Sequence, residues 1–136
     1  MLFCSIIYRS AVDQALHTLM QAYGKLGYES DPLPFAYTSY YEQEMGAPLS
    51  RKIVAFEILT PRDALPEIKL RTNSIEELFI RDGKRTVNID PWLLSLENVC
   101  LATTKPYSHR LYLTQGIWAE VTLMYKDDSY QAFPWT

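Results

Sequence analysis

Glycine is scarce in this chain, five in 136 residues, and no glycine cluster that would cradle a phosphate is present. Neither G-x-x-x-x-G-K-[ST] nor G-x-G-x-x-G occurs, which excludes a P-loop and a dinucleotide fingerprint. Two histidines and two cysteines are too few for a His-rich or Cys/His metal centre, and no H-E-x-x-H stands in the chain. No G-x-S-x-G elbow presents a nucleophilic serine. Cys4 lies in an apolar run that raises a thiol pKa, which argues against a cysteine nucleophile. One distant pair, Cys4 and Cys100, is no disulfide framework, so two buried free thiols in a reduced, cytoplasmic setting are expected. Basic excess is missing as well: 13 Lys and Arg against 16 Asp and Glu leave a net charge of −3. That is not the field of a non-specific nucleic-acid binder. No apolar stretch approaches the ~20 residues of a spanning helix. The residues from Met1 lack the basic leader and apolar length of a signal peptide, and no membrane association is expected.

What is present is an ordinary globular composition, 48% hydrophobic and 21% charged, which predicts a single folded domain over residues 1–136. Tyrosine is the outlier, ten against five Phe and three Trp. Its apolar ring and polar tip suit half-buried positions along grooves. Tyr28, Tyr37, Tyr40 and Tyr41 cluster, and Tyr107 and Tyr112 bracket a basic loop. An aromatic-walled groove is the expectation.

Leu2 to Tyr8 reads as a buried central strand. Ser10 starts a helix, with Asp13 in a capping-box position. Val12, Ala15, Leu16, Leu19, Met20 and Tyr23 form its apolar face, and Gly24 and Gly27 end it. His17 falls beside that face and carries no assigned role. Pro32 and Pro34 mark a loop, residues 35–41 have strand composition, and Glu42 to Ser50 is a connection. Lys52 to Leu59 is a strand. A second helix opens at Thr60-Pro61 or Asp63, with Pro66 near its start and Leu65, Ile68, Thr72, Ile75 and Phe79 as the buried stripe. Asp82-Gly83 ends it. Thr86 to Asp90 is a short strand stopped by Pro91, and Val99 to Thr104 is another. His109 to Leu113 and Ile117 to Tyr125 form a hairpin about Thr114-Gln115-Gly116, and the chain turns again at Asp127-Asp128-Ser129. The order predicts an α+β fold: a ferredoxin-like split βαβ core, with two helices on one face of a mainly antiparallel sheet, extended by C-terminal β-hairpins.

Polar chemistry concentrates in four places. Thr103 to Arg110 holds two threonines, Lys105, His109 and Arg110 between two strands. Arg offers a planar fork and Lys a point charge, which suits a phosphate or carboxylate. Lys69, Asn73 and Glu76 share one face of the second helix. As ligand-facing groups, Lys69 and Asn73 add donors; as exposed groups, they form a solvated face. Glu57, Asp90 and Glu120 are carboxylates in apolar strand rows, so each is paired, exposed or shifted in pKa. Tyr40-Tyr41-Glu42 to Gly46 supplies aromatics before a glycine turn, either a pocket wall or an ordinary loop.

Several strings occur in order: Tyr40-Tyr41-Glu42-x-Glu44-Met45-Gly46, Ile68-Lys69-x-x-Thr72-Asn73-x-Ile75-Glu76, Val87-Asn88-Ile89-Asp90-Pro91, Leu101-Ala102-Thr103-Thr104-Lys105-x-x-x-His109-Arg110, Ala119-Glu120-Val121 and Pro134-Trp135-Thr136. Over essentially its whole length the chain resembles an uncharacterised prokaryotic family, a domain of unknown function whose members are sometimes labelled GTP-binding proteins. The resemblance implies no established activity or catalytic residue. The residues give the GTP label no support, since both the P-loop and an Asn-Lys-x-Asp guanine motif are missing. Trp92-Leu93 stands where the family pattern has Gly-Tyr.

Three functions follow as expectations. The first is binding of an anionic small molecule, a nucleotide or phosphorylated metabolite. Lys105, His109, Arg110 and Thr104 would face the anion, Lys69 and Asn73 would add donors, and Tyr41 would pack on the ligand. The second is a hydrolase or transferase with His109 as acid or base and Glu120 or Asp90 orienting it or a hard cation. The third is a protein-interaction module built on Trp92, Trp118, Trp135 and the tyrosines.

Overall fold

The computed structural model describes residues 1–136. In chain order the elements are β1 (Leu2–Tyr8), α1 (Val12–Tyr23), β2 (Leu26–Glu29), β3 (Leu33–Phe35), α2 (Glu42–Met45), β4 (Leu49–Phe56), a 3-10 turn (Arg62–Ala64), α3 (Leu65–Glu77), β5 (Val87–Leu94), β6 (Asn98–Thr103), β7 (Leu111–Thr114), β8 (Ile117–Lys126) and β9 (Ser129–Ala132). The fold is α+β, with one sheet in the order β2-β4-β1-β5-β6-β8-β7, β3 pairing with β4, and β9 with β8. Every pairing is antiparallel.

β1 is central because nothing in it but Ser5 interrupts the apolar run. Ile6 faces Lys52 of β4 on one side and Ile89 of β5 on the other. The period-2 alternation of a strand sends Leu2, Cys4 and Ile6 to one face. There they meet Val54, Phe56, Val87 and Ile89, and both long helices close this layer with Ala15, Leu16, Leu19, Leu65, Ile68 and Ile75, followed by Phe79 just past α3. The opposite face carries a smaller cover over Ile7. There Phe35, Met45 and Leu49 pack on Ile7, with Tyr41 against them. That small second core fixes the 36–48 segment, and with it the tyrosine pair, over the sheet.

Several sequence expectations need correction. Residues 36–41 form no strand: β3 stops at Phe35, and α2 follows. Gly27 lies inside β2, an unanticipated strand, packed so closely that an added Cβ would stand 3.1 Å from the Glu57 side chain. Ser10 does not cap α1. Its N-terminus is Ala11 in the left-handed region, without a side-chain cap. The second helix ends at Glu77, well before Asp82-Gly83, and β4 spans Leu49–Phe56, so Ile58 and Leu59 lie outside it and exposed. Cys100 is half-buried, while Cys4 is wholly buried.

Pro91 does not stop β5, which runs through it to Leu94. Its position has a consequence. The Ile89 amide points away from β1, and residues two apart in a strand present their backbones on the same side. Pro91 therefore turns a nitrogen without N–H toward β6. Pairing with β6 begins only at Trp92↔Leu101, so β5 and β6 part along the first half of β5.

Candidate functional site

Where β5 and β6 part, the backbone of Ile89 has no strand partner, and α3 supplies one from its side chains. The Ile89 N–H donates to Glu76 Oε1 at 2.7 Å, and Lys69 Nζ donates to the Ile89 carbonyl at 3.4 Å. Lys69 and Glu76 are one helical face, as their spacing predicts, and that face is buried against the sheet rather than solvated. A buried backbone donor without a partner costs about 1–3 kcal/mol, so these two side chains hold the split open at little loss of stability.

The split is a cavity of about 320 Å³, and only Tyr40, Tyr41 and Leu101 among its lining residues are hydrophobic. α3 contributes Lys69, Asn73 and Glu76, β5 contributes Asn88 and Asp90, and the end of β6 with its following loop contributes Thr103, Thr104, Lys105 and Arg110. Arg85 completes it. Of the residues proposed from sequence for an anion, Lys69, Asn73, Thr104, Lys105, Arg110 and Tyr41 line this one cavity, and so does Asp90. His109 does not. It stands behind Arg110, where its Nε2 meets Glu120 Oε1 at 2.6 Å and its ring stacks on Trp135 at 5.2 Å. Glu57 is exposed and takes no part.

Most of the lining charges are already paired. Arg85 donates from Nε and Nη2 to Glu44, and from Nη1 to Glu76 and Asn88. Arg110 donates to Glu120 at 3.0 Å and to the Lys105 carbonyl at 2.9 Å, and its guanidinium lies over the Tyr107 ring at 4.3 Å. Lys69 reaches Asp90 at 3.3 Å, and the Asn88 amide donates to the other Asp90 oxygen at 3.0 Å. These contacts consume donors and stiffen the walls.

Four groups remain without a hydrogen-bond or ion-pair partner. Lys105 makes no ion pair; its ammonium sits 4.2 Å from the centre of the Tyr40 ring. The Asn73 amide, the Thr104 hydroxyl and the Tyr41 hydroxyl make no hydrogen bond within the chain. Burial, then the nearby Asp90 charge, pushes the Tyr41 phenol up to about 12, so it stays a donor. Burial likewise raises the Glu76 carboxyl above its ordinary range, while hydrogen bonds from Arg85 lower Glu44. The cavity thus offers one unpaired cation and a set of unused neutral donors. No three His, Cys, Asp or Glu side chains gather to hold a metal ion.

The sequence does not signal Arg85, Asn88 or the splaying of β5 from β6. Arg85 lies in a charged turn, and Asn88, though part of the Val87-Asn88-Ile89-Asp90-Pro91 string, carries no local sign of a role. The expected wall of many tyrosines reduces to Tyr40 and Tyr41: Tyr28, Tyr37 and Tyr112 are exposed away from the cavity. Each tryptophan packs on an aromatic ring of its own, Trp92 on Phe3, Trp118 on Tyr112 and Trp135 on His109 and Phe133. No helix is long and apolar enough to cross a membrane.

The family model for a domain of unknown function, DUF4416, matches residues 1–136, and the chain belongs to that family. No curated protein and no solved structure matches it.

Proposed function

We propose that the chain, as a member of the DUF4416 family, binds a small anionic ligand in the cleft between β5 and β6. The observation that carries this reading is the convergence of Lys105, Asn73, Thr104 and Tyr41, all without hydrogen-bond or ion-pair partners, on one polar cavity. Lys105 is the anchor for a phosphate or carboxylate, with Lys69 beside it. Asn73 and Asp90 read the uncharged part of the ligand, and Tyr41 closes over it. A single unpaired cation suits one anionic group better than a triphosphate. The ligand class is therefore a nucleoside monophosphate or another singly phosphorylated metabolite.

Thermal denaturation tests it. A ligand bound only by the folded chain raises the melting temperature. A cognate phosphomonoester at tenfold over Kd should raise it by about 5 °C, and Lys105→Ala should abolish the rise. Unchanged melting across nucleoside monophosphates, sugar phosphates and inorganic phosphate, with and without Mg²⁺, contradicts the reading.

A second reading, hydrolysis or group transfer through His109, draws on its 2.6 Å contact with Glu120. His109 would act on a ligand in the cleft only through a water or after a shift of Arg110. A His109→Ala variant that turns over a phosphomonoester as the wild type does contradicts it. The order β2-β4-β1-β5 with two intervening helices also supports a ferredoxin-like split βαβ core, extended by β6 to β9. Two free thiols suit a cytoplasmic setting.

A further inference from the structure

A second cavity, independent of the cleft, lies beside the start of α3 and over β5, β6, β7 and β8. It holds about 570 Å³ and is mostly apolar, walled by Leu65, Leu93, Leu113, Ala119 and Tyr130 among others. That volume falls within the range of small-molecule pockets. Leu65 and Leu93 also belong to the main core, so the cavity is an outward continuation of that core. Two large side chains that line it, Leu59 and Leu96, are 74% and 85% exposed, an apolar mouth left in water.

The polar groups nearby narrow the occupant. Ser95 donates to the Asn98 carbonyl at 3.1 Å, and the Tyr130 hydroxyl donates to the Ser95 carbonyl at 2.5 Å. These groups are turned to one another and offer a ligand few hydrogen bonds. The Met1 ammonium, also at the wall, donates to the Leu94 carbonyl at 2.7 Å. The one charged side chain in the lining is Arg62. Its Nη2 bonds Glu97 at 2.8 Å, and its Nε and Nη1 have no partner. An apolar cavity of this volume with a half-used guanidinium among its wall residues matches a hydrocarbon chain ending in an anion. We propose that this cavity takes a free fatty acid, the chain inside and the carboxylate on Arg62.

The test is calorimetric titration of the full chain with octanoate, decanoate, dodecanoate and dodecanol, each below its aggregation limit. Affinity should rise about fourfold per added methylene until the chain outgrows the cavity. Ala119→Phe, which fills the cavity, should weaken dodecanoate at least tenfold. Leu113→Lys at the wall does the same should the phenylalanine prevent folding. Arg62→Ala should weaken dodecanoate several-fold and leave dodecanol unchanged. No binding, or binding indifferent to chain length and to both filling variants, overturns the proposal. So does a dimer in solution that Leu113→Lys dissolves, because a second copy then covers the mouth.

Discussion

Glu76 Oε1 accepts the backbone N–H of Ile89 at 2.7 Å, so a side chain of α3 does for β5 what a neighbouring strand does elsewhere. The sheet can then open without an orphaned donor, and the opening is the cleft. Removing that acceptor should be costly. Glu76→Ala strands the Ile89 amide and takes one carboxylate from Arg85, and it should lower stability by about 3 kcal/mol in urea unfolding. Glu76→Gln keeps the carbonyl acceptor and should recover part of the loss. Equal stability of the alanine variant and the wild type contradicts this role.

The same residue sets a pH dependence. Burial raises the Glu76 pKa in the folded chain above its ordinary value of 4.5, so the folded state binds its proton more tightly than the unfolded state does. Its contribution is full below pH 4.5 and is lost as pH rises through the folded pKa. The stability of wild type minus Glu76→Gln should therefore fall as pH rises from about 4 toward neutrality. Melting curves across that interval check the sign, and a difference that grows with pH contradicts it.

Much of this arrangement is legible in the sequence. The spacing of Lys69, Asn73 and Glu76 places them on one helical face, and the donors of 103–110 fall beside a strand end, as the structure has them. The unbroken run Leu2–Tyr8 marks the central strand. What could not be read is non-local. Whether a helix's polar face meets solvent or sheet depends on where β6 lies, and Pro91 alone does not tell a strand's end from a strand that has lost one neighbour. The 35–41 segment has strand composition, yet Phe35 and Tyr41 are used to cover Ile7, which needs a turn between them.

Glu120 serves both His109 and Arg110 while almost wholly buried. Glu120→Ala leaves the Arg110 guanidinium without its carboxylate and should destabilise by about 3 kcal/mol. It should also loosen the Lys105 loop, whose carbonyl Arg110 holds. Amide exchange over residues 104–109 should quicken, and exchange unchanged from the wild type contradicts the coupling.

Gly46 ends α2 at φ 83°, and a Cβ there would stand 1.8 Å from the Arg9 guanidinium. The arginine tip can move, but the left-handed backbone cannot be avoided. Gly46→Ala should cost about 1–2 kcal/mol and disturb the Tyr40-Tyr41 cover, lowering ligand affinity while Lys105, Asn73 and Thr104 stay in place. Stability within error of the wild type contradicts this.

The most direct test is a titration of the ¹⁵N-labelled chain with inorganic phosphate and with a nucleoside monophosphate, followed by amide shifts. Shifts should centre on Thr103, Thr104 and Lys105 and on the Asn73 side-chain amide, and all should be lost in Lys105→Ala. Shifts confined to other surfaces, or a spectrum that neither ligand moves, would show that the cleft between β5 and β6 is not an anion site.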